Sequence, residues 1–210
     1  GPAGMFAAIT AAGQGSRVLL LEKNDRLGKK LLITGKGRCN VTNNCTPDEV
    51  LKNVPRNGRF LYSAMDRFGP GDIMDFLEAH GCPLKTERGN RVFPVSDQSK
   101  SVLAALERAL TLAGVTRRQG KVTGLLTRQG RCTGVSTAEG DLTARAVILA
   151  SGGKSYPLTG STGEGYGMAA ALGHTIVEPR GSLVPMESPD PACKKMQGLS
   201  LRNVDVKLLN

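Results

Sequence analysis

Apolar positions along the chain fall into short blocks separated by glycine-rich polar stretches, and their spacing switches between helical and strand-like several times. The first fifteen residues are rich in alanine, with Pro2 suited to a first helical turn and Gly13 or Gly15 to its end. They predict a helix from the start of the chain. Residues 17–22 (RVLLLE) form an apolar run closing on an acid, the pattern of a buried parallel strand whose tip reaches a site. Helix followed by strand predicts an α/β unit. In residues 23–44 the glycines Gly28, Gly35 and Gly37 interrupt any period, which predicts a long irregular loop of the functional kind.

From residue 47 to 81 the spacing is helical, with Phe60, Leu61, Met65 and Phe68, then Ile73, Met74, Phe76 and Leu77, split by the breaker Gly69-Pro70-Gly71. These predict helices whose role is packing. Residues 84–94 predict two short strands around Gly89-Asn90. Ser96, Asp97 and Ser99 form an N-cap set ahead of a stripe of Val102, Leu103, Leu106 and Leu110, a predicted amphipathic helix ending at Gly114. Residues 121–143 predict an antiparallel meander turning at Gln129-Gly130 and Glu139-Gly140. AVILASGG then predicts an apolar strand breaking into a double glycine, and residues 163–172 a helix. Beyond residue 175 the proline-rich tail changes character and ends in LRNVDVKLLN, a predicted strand of another sheet. The expected boundary lies at residue 181.

Length and charge narrow the reading. At 210 residues the chain suits one domain and part of a second. No stretch approaches the roughly 18–20 consecutive apolar residues of a membrane span, and nothing at the start reads as a signal peptide, so a cytoplasmic protein without membrane association is expected. Five cysteines (Cys39, Cys45, Cys82, Cys132, Cys193) contain no CxxC pair, and no metal site is expected. The net charge is +10, and seven cations stand against two acids over residues 17–38. A second basic group comprises Arg117, Arg118, Lys121, Arg128 and Arg131. Neither group interleaves with aromatic residues, which make up only 4% of the chain, so nucleic acid is not the expected partner. A phosphorylated cofactor accounts for local basicity equally well.

GPAG at residues 1–4 supplies the second half of a GxGxxG turn, where glycine lets backbone approach a pyrophosphate and the helix start favours an anion. Glu22 ends the following strand at the spacing, about twenty residues, at which an acid accepts hydrogen bonds from ribose hydroxyls.

Together with LGKKLLITGKGRCNVTN and ILASGGKSYPLTGSTGEGYGMA, these residues make the sequence closely resemble a family of two-domain FAD flavoproteins that includes aminoacetone oxidase and a bile-acid reductase. The resemblance covers nearly the whole chain. It implies a Rossmann-like FAD-binding domain over residues 1–181, with a parallel sheet, an inserted antiparallel meander, and the start of a β-rich substrate domain over residues 182–210. It also implies a first strand ahead of Gly1 and a further flavin-contacting segment after the substrate domain. By resemblance, Gly1, Pro2, Ala3 and Gly4 face the pyrophosphate, and Glu22 and Lys23 the adenosine ribose. Lys30, Gly37, Arg38, Cys39, Asn40, Thr42 and Asn43 match the loop near the flavin, with Lys30 or Arg38 offsetting negative charge. Val122 matches a backbone position at adenine; Ser151, Gly152, Gly153 and Tyr156 complete the cofactor-binding set. Ser161, Thr162, Glu164 and Tyr166 are candidates for the flavin or substrate edge. No catalytic residue is assigned.

The implied activity is an FAD-dependent oxidoreductase passing a hydride between flavin and a small-molecule substrate, with NAD(P)H as donor for a reductase or oxygen as acceptor for an oxidase. Two alternatives stay open: a tRNA-modifying flavoprotein, and a non-catalytic nucleotide-binding or basic binding module.

Overall fold

The computed structural model describes residues 1–181, 188–201, 204–205 and 207. In chain order the elements are helix α1 (Pro2–Gly13), strand β1 (Leu19–Glu22), α2 (Lys29–Ile33), β2 (Thr42–Asn43), α3 (Pro47–Lys52), α4 (Tyr62–Arg67), α5 (Pro70–Ala79), β3 (Leu84–Glu87), β4 (Arg91–Pro94), α6 (Ser99–Leu112), β5 (Thr116–Gln119), the meander β6 (Val122–Arg128), β7 (Arg131–Thr137) and β8 (Gly140–Thr143), α7 (Glu164–Ala171) and α8 (Pro191–Lys195). Contacts divide the chain into two units, Gly1–Ile176 and Val177–Asn210.

The first unit is a Rossmann-type α/β body. Strands β1 and β5 pair in parallel, Leu19 opposite Thr116 through Glu22 opposite Gln119. Parallel pairing demands a long crossover, and residues 23–115 supply it. Within the crossover, β2, β4 and β3 form a small antiparallel sheet in that order. The core lies where α1, α2 and α6 meet: Met5, Ala8, Leu27, Leu31, Leu106 and Leu110 are all buried. Helix α6 owes its position to the stripe read from its sequence, because Val102, Ala105, Leu106, Ala109 and Leu110 fall on one buried face. Each such Val or Leu contributes about 1.5–3 kcal/mol of burial.

Helices were expected at the start of the chain, across residues 70–81 and at 163–172, and they form; so do the hairpin around Gly89-Asn90 and the meander with its turn at Gln129-Gly130. The loop of residues 23–44 is more structured than its glycines suggest, holding α2, a tight 3₁₀ turn at Thr34–Gly37 and β2. Helix α6 is entered from Gln98 with no side-chain cap; Asp97, expected as part of the cap, turns away into an ion-pair cluster. Strand β5 was not anticipated, since its residues TRRQ carry no apolar alternation and it is held by main-chain pairing with β1.

Two further expectations fail on physical grounds. Residues 146–150 form no strand among the described residues, and Ile148 is 66% exposed. An apolar run predicts burial, but a strand also requires a partner ladder. Helices α3 and α4 and the turn between them do not only pack: Phe60 stands 87% exposed, because the 3₁₀ turn Gly58–Leu61 points it outward. Of the predicted strand at residues 201–210, the described residues Leu201, Val204, Asp205 and Lys207 lie in no strand, and the rest fall outside the described residues.

Candidate functional site

The start of α1 and the tip of β1 meet. The backbone nitrogen of Gly1 lies 3.6 Å from Glu22 Oε2, and Pro2 takes the first helical turn where its missing N–H costs nothing. A side chain at Gly4 would touch Ala150 Cβ at 3.4 Å and Leu20 Cδ1 at 3.7 Å, so the helix start sits close against both β1 and the run that follows the meander. The first N–H groups of any helix lack intrahelical partners, which makes this end an acceptor of anions.

Glu22 is oriented by a residue that the sequence did not single out. Its Oε1 accepts from the Asn24 backbone N–H (3.1 Å) and from Asn24 Nδ2 (2.9 Å), leaving Oε2 toward Gly1. Asn24 Nδ2 also donates to the Thr159 carbonyl at 3.2 Å, which ties the β1 tip to the glycine-rich loop. The Glu22 carbonyl accepts from Gly120 N–H at 2.9 Å, so β5 delivers Lys121 and Val122 to the same place.

Lys23 does not reach outward. Its Nζ donates to Glu164 Oε2 at 2.6 Å and to Thr162 Oγ1 at 3.0 Å, while Lys121 Nζ lies 3.3 Å from Glu164 Oε1. The bond from Lys23 and the nearby Lys121 hold the Glu164 carboxyl below its usual range against a smaller opposing effect of burial. Between β6 and α7 opens a cleft of about 510 Å³ walled by Lys121, Val122, Glu164, Gly167, Met168 and Ala171. Its lining combines the charged Lys121 and Glu164 with the apolar Val122, Leu125, Met168 and Leu172.

The segment holding Ser151, Gly152, Gly153 and Tyr156 lies beside α7. Gly165 on that helix approaches Ser151 Oγ so closely that a Cβ there would collide with it, whereas a Cβ at Gly153 would make a tight contact with Tyr166 Oη at 3.3 Å. Gly152 adopts φ +81° near the buried Ser161, and Tyr156 is exposed with φ +54°. Lys30 Nζ donates to Ser155 Oγ at 3.0 Å, bringing α2 to this loop.

The remaining predicted residues gather around the small antiparallel sheet. Arg38 donates to Asp97 Oδ1 (2.9 Å from Nε) and to Glu87 Oε1 (2.5 Å from NH2), and stacks over the Phe93 ring at 4.0 Å. Lys85 adds a 2.7 Å bond to Asp97. Arg38 is pushed up, and Glu87 and Asp97 down, by these mutual bonds. The guanidinium is therefore committed to carboxylates rather than turned to a phosphate. Cys39 is buried with φ +61°; burial pushes its thiol up, opposed more weakly by a bond with Thr34. It packs in the core together with Cys82, whose thiol is raised by burial first and then by the fields of Cys39 and Glu78. With its amide turned to match its neighbours, Asn40 donates to the Val92 and Thr42 carbonyls. Thr42 pairs with Val92 in the sheet, Asn43 Nδ2 donates to the Gly89 carbonyl, and Gly37 takes φ +86° at the turn.

The structure thus joins Gly1 to Gly4, Glu22, Lys23 and Val122 in one neighbourhood, and sets Ser151 to Tyr156 beside α7 and within reach of Lys30. It places Arg38, Cys39 and Asn43 in a structural cluster of their own. Sequence reasoning missed Asn24, whose role depends on a contact 135 residues away. His80 is the C-cap of α5: it bonds the Phe76 carbonyl through Nδ1 at 2.7 Å and stacks on the Phe76 ring. Among the described residues no group of three or more His, Cys, Asp or Glu is arranged to hold a metal ion, and no helix is long and apolar enough to cross a membrane.

Comparison with known proteins gives a match over residues 1–210 to the HI0933-like protein Rossmann domain. The chain is 34% identical over 178 residues to a 3-dehydro-bile acid delta(4,6)-reductase of Clostridium scindens, covering 84% of this chain and 43% of that protein. It is 29% identical over 200 residues to a ribosomal RNA dihydrouridine synthase of Escherichia coli, covering 95% of this chain and 49% of that protein. The chain spans about half the length, or less, of these curated relatives. Among solved structures, L-amino acid deaminase from Proteus myxofaciens in complex with anthranilate is similar at 18% identity and a TM-score of 0.42, over 72% of this chain and 44% of that one. A likeness that distant carries no argument here.

Proposed function

Because the chain belongs to the HI0933-like family of Rossmann-domain flavoproteins, we propose that it forms the FAD-binding part of an oxidoreductase that transfers a hydride between flavin and a small organic substrate, with NAD(P)H as the electron donor. The observation that carries this reading is the meeting of the α1 start with Glu22, 3.6 Å apart. That pairing sets anion-accepting N–H groups beside an oriented carboxylate acceptor, and the two fit a pyrophosphate and its ribose.

In this assignment Gly1, Pro2, Ala3 and Gly4 hold the pyrophosphate. Glu22 accepts from ribose hydroxyls through the oxygen that Asn24 leaves open, and Lys23 keeps the neighbouring wall in place through Glu164. Val122 lines the cleft assigned to adenine. Ser151, Gly152, Gly153, Tyr156 and Lys30 face the flavin end. Lys30 makes no ion pair among the described residues, so its charge is the one assigned to offset negative charge on the cofactor. Arg38 and Asn43 hold the backbone of residues 37–43 in shape. Cys39 is kept protonated by burial and takes no thiolate role. Bound flavin would supply the hydride chemistry, while these residues bind and orient it. Residues 1–181 make up the cofactor part and residues 182–210 the beginning of the substrate part.

The test is an absorbance spectrum of the purified full-length protein between about 300 and 550 nm, before and after NAD(P)H without oxygen. Flavin bands that bleach are expected, with FAD binding weakened about tenfold by Glu22→Ala. A protein that shows no flavin bands after reconstitution with FAD overturns the reading.

A further inference from the structure

Residues 50–65 contain three cations, Lys52, Arg56 and Arg59, and no acid. They stand on an organised backbone. The Thr46 and Glu49 capping box fixes α3, Asn57 takes φ +56° to open the turn Gly58–Leu61, and Gly58 sits against the Leu51 carbonyl, where a Cβ would come within 3.1 Å. Arg38, Lys23 and Lys85 all lie against carboxylates, whereas the guanidinium groups of Arg56 and Arg59 form no ion pair or hydrogen bond among the described residues.

These residues line a groove of about 480 Å³, within the ordinary size of a small-molecule site. Lys52, Arg56 and Arg59 share its wall with Asp48 and Tyr62, and Leu51, Val54 and Pro55 add apolar surface. Three cations against one acid favour an anionic ligand. Two guanidinium forks suit a dianionic phosphate, which each can hold bidentately. The Tyr62 ring, 61% exposed, suits a flat heterocycle attached to that phosphate. Recognition here is by side-chain cations, the way an arginine accommodates the 2′-phosphate of a nicotinamide dinucleotide, and not by the helix start that holds a pyrophosphate.

We propose that the groove formed by α3, the Gly58–Leu61 turn and the start of α4 takes the 2′-phosphoadenosine end of NADPH, with Arg56 and Arg59 on the 2′-phosphate and Tyr62 against adenine, and so selects NADPH over NADH. The inference rests on the NAD(P)H-linked reading above and names which of the two nucleotides serves it. NADH carries a hydroxyl where NADPH carries the phosphate, and leaves both guanidinium groups without their partner. Asp48 stands five positions after Asn43, a span of at most about 18 Å. The groove therefore lies within the length of an extended dinucleotide of the loop of residues 37–43 in the proposed cofactor part. It shares no residue with the proposed FAD site.

The experiment is isothermal titration calorimetry of the full-length protein saturated with FAD, using adenosine 2′,5′-bisphosphate, adenosine 5′-monophosphate and inorganic phosphate as probes. The bisphosphate is expected to bind at least about tenfold tighter than either of the others, and Arg56→Gln with Arg59→Gln to remove that advantage while leaving the monophosphate within about twofold. Tyr62→Ala should weaken both nucleotides about fivefold and Tyr62→Phe neither, since stacking survives in the latter. Anaerobic bleaching of the flavin should then show the KM for NADPH raised about tenfold in the arginine pair, with kcat and the KM for NADH unchanged. Arg128→Gln with Arg131→Gln, the same loss of charge on the meander turn, should alter none of these values. Phosphate binding as tightly as the bisphosphate, full affinity in the arginine pair or in Tyr62→Ala, or an equal loss from the meander pair overturns the proposal. Flavin that bleaches equally well with NADH and NADPH sinks the groove assignment alone, whereas a protein that shows no flavin bands after reconstitution with FAD takes the underlying reading down with it.

Discussion

Arg38 bonds two carboxylates and a ring at once, and the direction of their titration makes the cluster testable. Glu87 and Asp97 are held below the ordinary carboxylate range, first by their bonds with Arg38 and Lys85 respectively. A depressed folded value means that the stabilisation is fully present above the unfolded value, near pH 4, and is lost as pH falls through the folded values. Urea denaturation followed by circular dichroism should therefore show Arg38→Gln less stable than wild type at pH 7, with the gap closing below about pH 4. A gap that stays constant with pH would mean that Arg38 acts by packing on Phe93 alone. The raised thiols of Cys39 and Cys82 give a second residue-scale expectation. Iodoacetamide at pH 7 should modify the exposed Cys193 at least about tenfold faster than either buried thiol, and comparable rates would show that the core around Cys39 opens readily. At this scale the sequence disclosed residue identity better than residue role. Arg38 reads as a phosphate cation until Glu87 and Asp97, 49 and 59 positions away, are seen beside it.

Elements were legible where local pattern alone decides them and illegible where a partner decides them. Helix α6 was readable because its buried stripe is internal to fourteen residues. Strand β5 and residues 146–150 were misread in opposite directions: TRRQ has no strand pattern but finds β1, while AVILA has the pattern but no ladder among the described residues. In the meander both conditions hold, and one glycine is critical to it. Gly134 in β7 has φ +152°, and a Cβ there would run into the Leu142 backbone of β8. Gly134→Ala must then separate β7 from β8 or distort both, at a cost of about 3 kcal/mol, which lowers the Tm of a chain this size by roughly 6–12 °C. Gly124→Ala in β6 faces open space and should stay within about 0.5 kcal/mol of wild type. Thermal melts of the two variants check this, and equal behaviour would refute the packing argument at Gly134.

At the scale of the first unit, the neighbourhood of Glu22 is built from parts distant in sequence: α1, β1, β5, the loop near Thr159 and α7. Its nucleotide-binding half could be read early, because the turn, helix and acid of GPAG and Glu22 lie within one α/β unit. The closing half, Asn24 to Thr159 and Lys23 to Glu164, emerges only once the chain has folded back over more than a hundred residues. A ligand held by both halves binds the folded state alone, so FAD should stabilise the whole unit by mass action. At a free concentration about a hundredfold above its Kd the gain is about 2.7 kcal/mol, or roughly 5–11 °C in Tm. Asn24→Ala frees Glu22 to rotate, and should weaken FAD binding about fivefold, removing roughly 1 kcal/mol of that gain at the same FAD concentration. Gly134→Ala should melt lower yet keep the full increment, since Gly134 stands in β7 opposite Leu126 of β6 and Thr143 of β8 and pairs with neither Glu22 nor Val122. If FAD raised the Tm of wild type and Asn24→Ala equally, the nucleotide would be held without Glu22, and the pyrophosphate turn alone would have to account for its binding.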